Sequence, residues 1–222
     1  SKKAKQNVPA DRILHPDFSG LPEFLPNAQG KILNNDYFGG DLAGITEKIP
    51  YLRELGVTCL YLNPIFEAHS NHRYNTADYR KIDPLLGTEE DFRHLCDAAH
   101  QAGMAVILDG VFSHTGSDSI YFNREGRYGN SGAFRDPQSP YRKWYQFEQY
   151  PYRYHSWWGI DTLPNVNEEE PTYLDFICAD DGVLAFWMGL GADGFRLDVA
   201  DELPDCFLDA VRRQLKKHGA RL

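Results

Sequence analysis

The chain has 222 residues, of which 42% are hydrophobic and 14% aromatic, enough to bury a real core, so a disordered chain is excluded. A formal net charge of −9 argues against nucleic acid or an anionic membrane surface as partner. No apolar run reaches membrane-spanning length and no hydrophobic signal segment follows Ser1-Lys2-Lys3-Ala4-Lys5. A cytoplasmic location is therefore expected, with secretion as the alternative. The four cysteines, Cys59, Cys96, Cys178 and Cys206, are far apart and form no C-x-x-C. They are expected to be small buried hydrophobes in a reducing compartment.

Residues Ser1 to Asp36 are rich in Pro, Asn and Gly and read as irregular. Asp41 then caps a helix with the stripe Leu42, Ile45, Ile49, Leu52 and Leu55, ended by Gly56. Val57 to Leu62 reads as a strand buried on both faces, stopped by Asn63-Pro64. Thr88 caps a second helix with Phe92, Leu95, Cys96 and Ala99 inward, and Met104 to Asp109 is a second buried strand. Between Thr115 and Asn167 the alternation stops. Thirteen Tyr, Phe and Trp residues interleave there with Gly, Pro and Ser, which predicts a small irregular subdomain whose aromatics are mostly core. One helix is expected from about Glu170 to Leu190, then a strand carrying Arg196 and Asp198. A last helix, opened by Pro204, turns Phe207, Leu208, Val211 and Leu215 inward.

Apolar strands separated by amphipathic helices imply parallel strands covered by helices, an α/β fold. Polar residues cluster where each strand ends: Asn63, then Asp109 with His114, then Arg196 with Asp198. Ligands bind at that carboxyl edge in open α/β sheets and in barrels alike. Strand alternation puts Arg196 and Asp198 on one face. A carboxylate beside a guanidinium stays ionised, as a glycosidase nucleophile must be. The bland alternatives are a salt bridge pinning a strand end, a helix cap or buried ion-pair partner at Asp109, a satisfied core histidine at His114 and a surface aromatic at Tyr74.

Five motifs in order resemble glycoside hydrolase family 13, the α-amylase family. Asp109-Gly110-Val111-Phe112-Ser113-His114 is similar to D-x-V-x-N-H, and Gly194-Phe195-Arg196-Leu197-Asp198 to G-x-R-x-D. Leu163-Pro164-Asn165-Val166-Asn167 resembles the motif late in the family's inserted subdomain. Val57 to Pro64 resembles its second strand, and His72 to Tyr79 the segment after it. Phe38-Gly39-Gly40-Asp41-Leu42 and Leu197 to Glu202 are similar to the neopullulanase, cyclomaltodextrinase and maltogenic amylase subgroup.

The resemblance implies strands two to four of a (β/α)8 TIM barrel: barrel from 1 to 114, an inserted subdomain from 115 to 168, and barrel again from 169 to 222. It implies that Asp198 is the nucleophile, kept deprotonated and aimed by Arg196. His114 would hydrogen-bond the sugar, Tyr74 would stack beneath it, and Asp109 would brace Arg196 and His114. The implied activity is retaining hydrolysis of α-1,4 bonds in starch-type glucans, maltooligosaccharides or cyclodextrins, with α-1,6 bonds as an open addition. A transglycosylase or a non-catalytic binding module are the alternatives. The family's general acid, a glutamate, would lie beyond Leu222 and its first strand before Ser1, so the chain reads as an internal slice, inactive alone. No cofactor is required for the chemistry. Gly39 and Asp41 match a calcium site of part of the family, though Asp41 is equally explained as a helix cap. Ser113 replaces a calcium-binding asparagine, and Ala200-Asp201 the usual basic pair. The resemblance leaves room for a homodimer of the full-length protein.

Overall fold

The computed structural model describes residues 8–220. Strands β1 (Ile13–Leu14) and β2 (Asp36–Tyr37) form a short parallel pair. Helix α1 (Leu42–Glu54) follows, then β3 (Cys59–Leu62), β4 (Phe66–Ala68), β5 (Thr76–Ile82), α2 (Glu89–Gln101) and β6 (Ala105–Gly110). The inserted stretch contributes β7 (Phe147–Gln149) and β8 (Arg153–Tyr154). Helices α3 (Pro171–Cys178) and α4 (Val183–Leu190), strand β9 (Gly194–Leu197) and helix α5 (Asp205–Lys217) complete the order. Strands β3, β6 and β9 form a parallel sheet in that order, with β6 central, while β4–β5 and β7–β8 are antiparallel pairs. Parallel neighbours need helical crossovers, and the α-helices supply them.

The caps explain where the helices begin. Asp41 Oδ1 accepts from Gly44 N at 2.7 Å. Thr88 and Asp91 bond each other's backbone N–H in a capping box. Three sequence expectations need correction. Leu55 lies beyond the last turn of α1 as its C-cap and is 65% exposed, because the chain leaves the helix at Gly56. The expected helix 170–190 is two, α3 and α4. Asp180 and Asp181 favour a break, and a Cβ on Gly182 would sit 2.8 Å from Ile177 O, so only glycine fits the turn. Strand β3 starts at Cys59 and is not buried on both faces, since Tyr61 is 46% exposed.

Alternation divides the sheet into two faces. Leu60, Leu62, Val106 and Leu108 are buried in the main core with Phe92, Leu95, Cys96 and Trp187. Cys59, Tyr61, Ile107, Asp109 and Arg196 lie on the opposite, polar face. That face is why Tyr61 escapes burial. Cys96 is buried as expected, Cys59 and Cys178 are half-buried, and Cys206 is exposed; all four are free. The Trp187 indole donates to Tyr79 O at 2.8 Å and stacks on Phe66 at 4.8 Å. Tyr79 in turn donates to Val111 O and receives no solvent, so it joins β5 to the start of the insert.

The insert runs between β6 and α3 and is mostly turns and short 3-10 segments. Tyr121, Phe122, Trp144 and Tyr145 are buried there as an aromatic extension of the main core, and Phe134, Tyr141, Phe147 and Tyr154 pack against it. Tyr152 and Trp158 stand outside it, exposed. Isolated bridges, His114 to Asn165 and Tyr145 to Val166, fasten the returning chain to its own start.

Gly191 closes α4 at φ +117, and a Cβ there would lie 2.7 Å from Cys96 Cβ. Gly191→Ala therefore combines left-handed strain with overpacking of the α2–α4 contact. It is expected to cost about 2 kcal/mol of unfolding free energy, read from denaturant midpoints.

Candidate active site

Strand register builds the site. Asp109 and Arg196 are Cα partners on adjacent strands, so their side chains project together. Arg196 Nη1 donates to Asp109 Oδ1 at 3.0 Å and to Asp198 Oδ1 at 2.6 Å. Asp198 follows the last residue of β9, and its backbone N–H still bonds Gly110 O. Asp109 is 1% exposed. Its second oxygen accepts from Tyr61 Oη at 2.5 Å and from Tyr74 Oη at 3.0 Å. Burial of such a carboxylate is tolerated because both oxygens accept hydrogen bonds, one of them from a guanidinium.

These contacts move the partners' titration in the expected directions. Burial, then the Asp109 carboxylate, push the Tyr61 phenol well above the ordinary tyrosine range. Tyr74 is raised by burial and by the same carboxylate. Arg196, despite some desolvation, is raised by its two carboxylates.

His114 is buried two residues beyond Phe112, where the insert begins. Its Nε2 lies 3.2 Å from Tyr74 O, which can only accept, so Nε2 carries the proton. Nδ1 then accepts from the Ser113 hydroxyl at 2.9 Å. Desolvation lowers the His114 pKa, and the charge of Asp198 works the other way. The imidazole is thus neutral, in one tautomer, with its donor edge toward the Tyr74 side of the site.

All five residues read from the sequence as catalytic or sugar-binding, Asp198, Arg196, His114, Tyr74 and Asp109, converge in one constellation. Asn63 lies exposed beyond β3, and Gly39 and Asp41 occupy the turn between β2 and α1. Sequence reasoning passed over Tyr61, although it shares the alternating face of β3 that leads to Asp109. It also passed over Trp157, whose ring lies 5.6 Å from that of His114, and over Glu202, which accepts from the Trp157 and Trp158 indoles at 3.0 Å each. Those contacts join segments about 45 residues apart and leave no local pattern.

A parallel α/β sheet with a buried Asp, a shared Arg and a second Asp at its carboxyl edge defines a class of ligand-binding edge. The comparisons narrow it. A family described as "Alpha amylase, catalytic domain" matches residues 11–218. An amylopullulanase of Thermoanaerobacterium saccharolyticum is 44% identical over 219 residues, covering 87% of this chain and 17% of its own length. Neopullulanase 2 of Thermoactinomyces vulgaris is 38% identical over 207 residues, covering 90% of this chain and 33% of its own. Among solved structures, the type III pullulan hydrolase from Thermococcus kodakarensis superposes with a TM-score of 0.76 at 33% identity, over 93% of this chain and 35% of that one. The chain belongs to the α-amylase family. It spans a third or less of the length of these two curated relatives.

Two titrations check the site. Asp109→Asn removes the charge facing both phenols, so Tyr61 and Tyr74 should ionise closer to the ordinary tyrosine value in ultraviolet titration. For His114, whose folded pKa is depressed, its stabilising contribution is complete above the unfolded value near about 6.5 and declines as pH falls toward the folded value. Asp198→Asn removes the charge that opposes this depression, so the His114 pKa followed by NMR should fall further.

Proposed function

We propose that the protein carrying this chain hydrolyses α-1,4-glucosidic bonds of starch-type glucans, maltooligosaccharides or cyclodextrins, and α-1,6 bonds in the same site, with retention of configuration. The observation that carries this is the single Arg196 nitrogen held between Asp109 and Asp198 at the carboxyl edge. Asp198 is the nucleophile. Its carboxylate attacks the anomeric carbon as the glycosidic C–O bond breaks, and the departing oxygen takes a proton from the glutamate that family membership implies beyond Leu222. Water then displaces Asp198 by the reverse sequence. Arg196 is anchored through Asp109, so it aims Asp198 without following its motion. Tyr74, tethered by its hydroxyl to Asp109, offers its ring to the sugar, and His114 Nε2–H turns from Tyr74 O toward a sugar hydroxyl.

In this reading the sheet β3–β6–β9 is part of a (β/α)8 barrel, supplied by 1–114 and 169–222, with 115–168 inserted. Among the described residues no helix is long and apolar enough to cross a membrane. A cytoplasmic location and a homodimer of the full-length protein belong to the same proposal. The chemistry needs no cofactor. A structural calcium at Gly39 and Asp41 is also proposed, and the ion would share Asp41 with the cap of α1. Excess EDTA is then expected to lower the Tm, with calcium restoring it.

The decisive experiment compares the full-length protein with Asp198→Asn on maltooligosaccharides. Losing the nucleophile is expected to reduce kcat by at least roughly 10⁴-fold. NMR of the first product should show the α anomer. Equal rates for the two proteins would refute the assignment.

A further inference from the structure

The joint between the insert and the loop that carries Tyr74 holds a carboxyl group that the site around Asp198 leaves unused. Asp118 is 8% exposed, and its Oδ1 is buried with no hydrogen-bond partner. Its Oδ2 lies 3.6 Å from Arg127 Nε, too far for a direct hydrogen bond. A Cβ added at Gly116 would lie 2.7 Å from Asp118 Oδ1 and 2.7 Å from Asn75 O. Both oxygens therefore converge on one notch that only glycine leaves open. A backbone carbonyl can only accept, and so can an ionised carboxylate. Ionised Asp118 thus sets two acceptors on one notch without a proton between them, a costly arrangement for a buried charge.

The surroundings favour the neutral acid. Burial and the Glu125 carboxylate push the Asp118 pKa up to about 6, while Arg127 and Arg124 act the other way. Both guanidiniums are engaged elsewhere. Arg127 pairs with Asp11 at 3.0 Å, and Arg124 pairs with Glu125 at 3.0 Å and Asp161 at 2.9 Å. From the β4–β5 side, burial with the charges of Glu67, Asp118 and Asp78 holds the Tyr128 phenol above the ordinary tyrosine range. Lys81 answers Glu67 and Asp78, at 3.8 and 3.2 Å, and burial keeps His69 neutral. A carboxylic acid kept neutral by its site can donate a hydrogen bond.

The notch lies directly behind two residues of the site. Asn75 follows Tyr74, whose carbonyl accepts from His114 Nε2, and Gly116 lies two residues beyond His114. Gly116 N also donates to Thr76 O at 2.9 Å, so the two segments run together here. We propose that Asp118 is a positioning residue that, as the neutral acid, donates its Oδ1 proton to Asn75 O and so clamps the insert to the loop holding Tyr74 against His114. The clamp closes as pH falls and loosens when the proton leaves. A carboxyl whose folded pKa is raised contributes stability that is complete below the unfolded value of about 3.9. That contribution is lost as pH rises through about 6.

Asp118→Asn tests the clamp, because its amide supplies the same donor at every pH while its oxygen stays toward Arg127. In thermal denaturation of the full-length protein, variant and parent should melt together at pH 5. At pH 8 the variant should melt higher by roughly 2 °C. The KM for maltohexaose, an arm that rests on the α-glucan reading above, should agree between them at pH 5. At pH 8 it should be about three- to tenfold lower in the variant, the scale of one hydrogen bond, with kcat little different. Asp118→Ala should show the higher KM at both pH values. A Tm gap between parent and Asp118→Asn that is the same at pH 5 and pH 8 would overturn the clamp. So would calcium raising the parent's Tm at pH 8 by more than the variant's, since the notch would then hold a cation. A Tm gap at pH 8 without a KM gap would overturn the positioning role. A parent that does not hydrolyse maltohexaose would overturn the α-glucan reading, and the melting comparison would still decide the clamp.

Discussion

The carboxylate of Asp109 has almost no access to water, and the arrangement around it follows from the need to satisfy it. A buried charge is costly unless it is paired and hydrogen-bonded. Three donors meet this demand, and each comes from a different part of the chain: Arg196 from β9, Tyr61 from β3 and Tyr74 from the loop before β5. The sheet register, Asp109 opposite Arg196, is what brings the first of them within reach. Asp198 then inherits its position, because the guanidinium that faces it is already fixed from behind. The second carboxylate is thus placed through Asp109, which reaches it only by way of the shared guanidinium.

The insert is tied to the same centre rather than appended to it. Tyr79 connects β5 to the residues after β6 through Val111 O, and its backbone N–H donates to Tyr121 Oη. The buried aromatics of the irregular segment are continuous with the main core through Tyr79, Tyr173 and Phe176, and a stretch without regular helices or a large sheet needs that burial in order to hold a shape. His114 sits at this junction, bridged to Asn165 and held by Ser113 on one ring nitrogen.

Much of this was legible along the chain. The capping residues Asp41 and Thr88, the apolar strands, the aromatic insert and the five polar residues of the site all follow local rules of period, cap and motif. The failures are equally local in origin. A 21-residue apolar stretch read as one helix because Gly182 and two aspartates weigh little against hydrophobic periodicity, yet the close approach of Ile177 O makes the break obligatory. Tyr61 reads as core along the chain because a run of apolar letters does not say which face of the strand has a helix over it. Leu55 continued the stripe of α1 on paper, but the helix ends before the stripe does.

By itself the sequence determined the α/β class and the order of strands and helices, and it placed Arg196 and Asp198 on one side of the chain, since these follow from period, caps and a spacing of two to four residues within single elements. Only the tertiary structure decided that Asp109 has three donors, that His114 holds its proton on Nε2, and that Glu202 grips two indoles. Those facts depend on the relative placement of segments separated by 30 to 90 residues, set by strand register and by burial, and no local pattern in the chain encodes such distances.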